Sequence, residues 1–254
     1  MSNDNVTNNP SPSGKLKVER WAAWTSGVES AEEWRAFLAQ PQESPNSASV
    51  AMADVSEFLT GMQRRRLSPL ARAVFKVALK CVAKGECLPS IFCSVYGETQ
   101  RTYSILETIA ESEAVSPMDF SLSVHSAISG QFTILSNNTK PTITLSPSDQ
   151  SYLSAFAEAY GILNEGAEAV LVVCYEEQLP DLYQPYVVSS NSPLAVAFKL
   201  RLGEARAGES CHNLSFEGLN TLEDDSRLPL LELISYFAEN RTVLTQAGWQ
   251  LSTL

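Results

Sequence analysis

The segment Ser146-Pro147-Ser148-Asp149-Gln150-Ser151 joins the stretch "TITL" to a helical pattern. A turn of this kind can hold a nucleophile where the helix start favours negative charge. Ser148 and Ser151 are the candidate nucleophiles, for acyl transfer or hydrolysis. A serine nucleophile needs a base, usually histidine, and the chain has two, His125 and His212. "SVHSAISG" gives His125 a packed or capping place, and "ESCHNLS" gives His212 a surface loop. Cys211 and His212 adjoin, but neighbouring side chains seldom point at each other. Asp149 has a plainer use as a first-turn carboxylate, with Ser146 as N-cap and Pro147 at the first helical position. Such capping is worth about 0.5–2 kcal/mol. Gly-x-Ser-x-Gly, P-loop and dinucleotide signatures are absent. Asp224 and Asp225 in "LEDDSR" read as an acidic loop, so no metal site is expected.

The elements around this turn alternate. "KLKVERWAAWTS" predicts a strand, and "SAEEWRAFLAQP" a helix capped by Ser30 with Glu33 three residues on. Leu70, Val74, Val77, Ala78 and Cys81 recur at helical spacing, and Gly85 is the expected C-cap. "LPSIFCSVYG" and "AEAVLVVCYEE" are continuous apolar runs, as in strands covered on both faces. "RTYSILETIAES" predicts a helix, and "DFSLSVHSAISGQFTILS" a helix passing into a strand. "DQSYLSAFAEAYGILNEG" is helical, with Tyr152, Leu153, Phe156 and Tyr160 on one apolar face. "PLAVAFKLRLG" adds a strand and "LPLLELISYFAENRTVL" a helix. This alternation predicts α/β layering, a mixed sheet covered by helices.

Composition narrows the classes. The 254 residues are 44% apolar and 19% charged, with a net charge of -11. That balance argues against broad nucleic-acid binding, which needs clustered Lys and Arg; Arg64-Arg65-Arg66 is too short to reverse it. Five cysteines without a CxxC pair predict neither a disulfide framework nor zinc, and Cys93 and Cys174 read as buried strand residues. Residues 1–14, "MSNDNVTNNPSPSG", are expected to be a disordered arm, with one domain over 15–254. The arm lacks an apolar signal region and no apolar run reaches spanning length, so a cytoplasmic protein without a membrane span is expected.

"RRRLSPLAR", "SVYGE", "SPMDFSLSVHSAISGQFTI" and "GAEAVLVVCYEE", in that order and spacing, resemble the N-terminal half of β-ketoacyl synthases. The likeness is strongest from Met62 to Glu177 and is nearest to the short ketosynthase-like proteins of bacterial aryl polyene pathways. It implies a thiolase-like layered fold lacking most of the C-terminal half. It also implies that Asp149 occupies the position of the nucleophilic cysteine, or, with a one-residue shift, Gln150. Neither residue is a thiol, and neither histidine matches the family's catalytic ones, so catalysis by condensation is not expected.

The resemblance implies instead a chain-length-factor-like subunit in a heterodimer with an active β-ketoacyl synthase, meeting acyl carrier protein through that complex and needing no cofactor. Ile143, Thr144 and Leu145 would pair across the two-fold axis. Tyr96, Asp119, Phe120 and Ser123 fall near positions that reach the partner's acyl tunnel; core packing accounts equally well for Tyr96 and Phe120, and an N-cap role for Asp119. The alternatives are a serine acyltransferase or hydrolase using Ser148 or Ser151, and a stand-alone acyl- or carrier-protein-binding module.

Overall fold

The computed structural model describes residues 13–39, 52–147, 151–183, 185–187, 189–203, 209–216 and 228–254. The strands are β1 (Ser13–Trp24), β2 (Ser90–Cys93), β3 (Thr142–Leu145), β4 (Val170–Glu176), β5 (Leu194–Leu202), β6 (Ser210–Phe216), β7 (Val243–Gln246) and β8 (Trp249–Thr253). The helices are α1 (Ala31–Ala39), α2 (Gly61–Arg64), α3 (Pro69–Cys81), α4 (Thr99–Ala110), α5 (Pro117–Ser123), α6 (Ala127–Ser136), α7 (Leu153–Asn164) and α8 (Pro229–Ala238).

Eight strands form one mixed sheet in the order β3-β2-β4-β5-β1-β6-β8-β7. β2 pairs in parallel with β3 and β4, and every other pairing is antiparallel. Both faces are covered, which is why β2 and β4 read as unbroken apolar runs. Alternate residues divide between two cores. Val170, Val172 and Cys174 join Val196 and Phe198 beneath α7 and α8, and Leu171, Val173 and Tyr175 join Ala195 and Ala197 beneath α3 and α6. Each fully buried Val or Leu contributes about 1.5–3 kcal/mol.

The expected helix start at Ser30 has its full capping box: Glu33 accepts from the Ser30 amide and donates its own amide to Ser30 Oγ. Four boundaries differ from expectation. α3 ends at Cys81, and Gly85 (φ +79°) lies in the turn beyond it. "QFTILS" completes helix α6, because Phe132 on one face packs against Phe75 and Phe92. α8 stops at Ala238, and "TVL" leads into β7, which pairs with β8. β1 begins at Ser13, inside the stretch expected as arm. Residues 1–12, Asp224 and Asp225 lie outside the described residues.

Candidate functional site

Ser148, Asp149 and Gln150 also lie outside the described residues, but the structure on both sides of them is defined. β3 delivers Ser146, whose hydroxyl donates to the Val95 carbonyl at 3.4 Å rather than capping a helix. α7 starts later than expected, at Leu153. Its entry is held by Gln246 of β7: the Tyr152 amide donates to Gln246 Oε1 at 3.1 Å, and Ser151 Oγ donates to the Gln246 carbonyl at 3.0 Å. Gln246 is in turn held by donation to the Pro229 carbonyl at 2.7 Å. A partner 94 residues away in sequence does the work assigned to a local cap, and local pattern cannot show it. Ser151 is buried with its proton committed to a backbone carbonyl.

Next to this entry the ends of β2 and β4 bring together carboxylates that sequence reasoning missed. Glu176 accepts from the amides of Val95 and Tyr96 and from the Tyr152 hydroxyl at 2.7 Å. Burial raises its carboxyl to about 7, against the pull of those donors. Glu177 accepts from the Gln100 amide at 2.8 Å. Burial, with repulsion from Glu98 and Glu176, raises it to about 8. Burial raises Glu98 as well, although Ser68 donates to it at 2.6 Å and Arg101 lies 3.6 Å away. The legible signal was "YEE" directly after a wholly apolar strand, since the strand carries its last side chains inside.

The β2 end is shaped by a turn from Ser94 to Gly97. The Gly97 amide donates to Ser94 Oγ at 2.8 Å, and φ there is +59°. A β-carbon at Gly97 would lie 3.2 Å from the His125 ring. His125 sits in the turn between α5 and α6 and not within a helix, with Nε2 2.7 Å from the Ser94 carbonyl.

Ile143, Thr144 and Leu145 lie on β3, the end strand of the sheet, and are half-buried. Thr144 Oγ1 is 2.8 Å from Ser129 Oγ of α6. α5 and α6, which pack in succession toward β3, expose Met118, Phe120 and Ile134, and Val124 between them is exposed too. Asp119 does not cap α5; Ser116 does, and Asp119 in the first turn lies 3.4 Å from Arg101. Ser123 Oγ donates to the Phe120 carbonyl. Tyr96 stands apart from these three, beside Tyr152 and Glu176. A cleft of about 420 Å³ between α4 and α5 is lined by Glu98, Arg101, Ser116, Asp119 and Glu177.

His212 overturns its surface-loop expectation. "ESCHNLS" is strand β6, and His212 is 3% exposed, its ring 2.8 Å from the Tyr236 hydroxyl and 2.7 Å from Ser210 Oγ. The strand was missed because its polar residues alternate weakly; partners on β1 and β8 hold it. The ring contacts of His212 go to Tyr236 and Ser210 and that of His125 to the Ser94 carbonyl, so neither ring is hydrogen-bonded to Ser151. Among the described residues no group of three or more His, Cys, Asp or Glu is placed to hold a metal, and no helix is long and apolar enough to cross a membrane.

Comparison with known proteins places these elements in a family. No curated protein matches the chain. Among solved structures, a chain of the ketosynthase (ApeO) in complex with its chain length factor (ApeC) from Xenorhabdus doucetiae superposes with a TM-score of 0.76 at 24% identity, over 94% of this chain and 99% of that one. The ishigamide ketosynthase/chain length factor gives 0.59 at 16% identity, over 84% of this chain and 69% of that one. A chain of AntDE:AntF, a type II polyketide synthase acyl-carrier protein in complex with its ketosynthase, gives 0.56 at 15% identity, over 75% and 64%. The fold is therefore the layered, thiolase-like fold of ketosynthases, matched over nearly the whole of the first of these chains and about two thirds of the other two. The model of the β-ketoacyl synthase N-terminal domain matches residues 34–248, and the chain belongs to that family.

Proposed function

We propose that this chain is a chain-length-factor-like subunit that pairs with an active β-ketoacyl-ACP synthase and shapes its acyl tunnel without condensing acyl groups itself. The observation that carries this reading is β3. It ends the sheet with one edge unpaired among the described residues, and Met118, Phe120, Val124 and Ile134 are exposed on the helices beside it. An open, apolar-flanked edge strand invites a partner strand. Pairing would run through Ile143, Thr144 and Leu145, with Asp119, Phe120 and Ser123 close to the partner's tunnel and Tyr96 deeper. Carrier protein would be met through the complex, in aryl polyene or related elongation.

The serine-nucleophile reading at the α7 entry has less support, because Ser151 donates to a carbonyl and both histidine rings bond to other groups. The continuous sheet from β3 to β7 supports a single domain over 15–254.

The test is co-expression with a full-length β-ketoacyl-ACP synthase of the same pathway class, followed by size exclusion. A 1:1 complex that extends acyl chains on carrier protein is expected, with the growing chain held on the partner's nucleophile during condensation. Separate elution would overturn the reading.

A further inference from the structure

On the other side of the sheet, β1 pairs with β6 only from Ser13 to Val18, yet runs on to Trp24 against β5. Past Val18 its second edge opens onto a groove of about 860 Å³. Val18, Trp21, Ala22 and Phe237 give the groove an apolar wall, and Ser210 and His212 line it together. Residues two apart on a strand share a face, which is what puts these two side chains in contact at 2.7 Å.

A chain of hydrogen bonds behind His212 sets its tautomer. Thr253 Oγ1 donates to the Arg241 carbonyl at 3.2 Å, which uses its only proton. Tyr236, 3.1 Å from Thr253 Oγ1, must then donate to it. The Tyr236 oxygen is left to accept from His212 Nδ1, 2.8 Å away. Nδ1 therefore carries the ring proton, and Nε2 presents its lone pair to the Ser210 hydroxyl. That is the order of a nucleophile, a base and an orienting group.

We propose that Ser210 is an acyl-accepting serine, with His212 as its base and Tyr236 as positioning residue, which takes acyl groups from esters or thioesters of apolar acids and passes them to water. Ser210 Oγ bonds to the acyl carbon while its proton passes to His212 Nε2. The adduct collapses, breaking the bond to the leaving alkoxide or thiolate, which takes that proton. Water then attacks the Ser210 ester, gives a proton to Nε2, and the carboxylic acid leaves as the proton returns to Ser210.

Burial lowers His212 to about 4. The ring is thus neutral across the physiological range, and the reaction should be independent of pH above about 5.

The full chain is treated with a fluorophosphonate probe and, separately, assayed with p-nitrophenyl butyrate. One adduct, mapped to Ser210 by mass spectrometry, is expected. Ser210→Ala should remove it and lower ester turnover at least tenfold at an unchanged melting temperature. Tyr236→Phe should slow labelling and lower ester kcat by the same factor at every pH above 5, at unchanged KM, because only the fraction of neutral ring with its proton on Nδ1 can then act as base. No adduct, an adduct elsewhere, or labelling that survives Ser210→Ala overturns the proposal. Such a result leaves the pairing through β3 untouched, since that is read by co-elution.

Discussion

The hydroxyl of Tyr152 donates to the Glu176 carboxylate at 2.7 Å and ties the residue before α7 to the last residue of β4. Both groups are almost wholly enclosed. Tyr152→Phe keeps the ring and deletes the donor, leaving a buried carboxylate short of a partner. A loss of about 1–3 kcal/mol is expected, seen in urea unfolding as a lower midpoint at unchanged slope. An unchanged midpoint would mean that this bond does not hold the entry of α7.

The same corner should make stability depend on pH. Glu177 holds its proton up to about 8 in the fold and has an ordinary value of 4.5. Between those limits the folded chain binds a proton that the unfolded chain has released. Stability therefore falls as pH rises through that window and is level beyond it. Glu98 and Glu176, raised in the same direction, add to the fall, and Arg101 opposes it. Glu177→Gln keeps an acceptor for the Gln100 amide and removes the titration. Its melting temperature should exceed that of the wild type at pH 8 and match it more closely at pH 5.

Ile134 on α6 is 74% exposed and makes almost no demand on the fold. Ile134→Glu should leave the melting temperature within a degree or two, because surface substitutions are usually within about 0.5 kcal/mol. If the face beside β3 receives the ketosynthase, a charge buried there without a partner should weaken the complex at least tenfold, measured by interferometry on the purified subunits. Equal affinity would move the interface elsewhere.

These tests rest on features that were unevenly legible. Strong periodicity showed α3, and unbroken apolar runs showed β2 and β4, because each buries side chains in a pattern set by its own geometry. The start of α7 was misplaced because Gln246, on a distant strand, supplies its cap. His212 was misplaced because β6 owes its existence to neighbours on both sides. Glu98, Glu176 and Glu177 come from two segments that meet only when β2 and β4 pair. Local spacing records what a residue does for its own element, and the corner of carboxylates belongs to none.

Phe120 offers the most direct test of the proposed role in setting chain length. Its ring is 60% exposed on α5, so this chain gains little by keeping it. Against a partner it would fill space, and a tunnel end closed by a phenyl ring excludes further methylenes at a cost of about 1–3 kcal/mol for overpacking. Phe120→Ala removes that ring without a cavity in this chain's own core. In the assembled complex, products one or more elongation cycles longer are expected, with initial rates kept within about twofold, by mass spectrometry of the acyl carrier protein. Lengths unchanged in a complex that still forms would exclude Phe120 as the tunnel end and direct the same experiment to Tyr96, which lies deeper beside Tyr152 and Glu176.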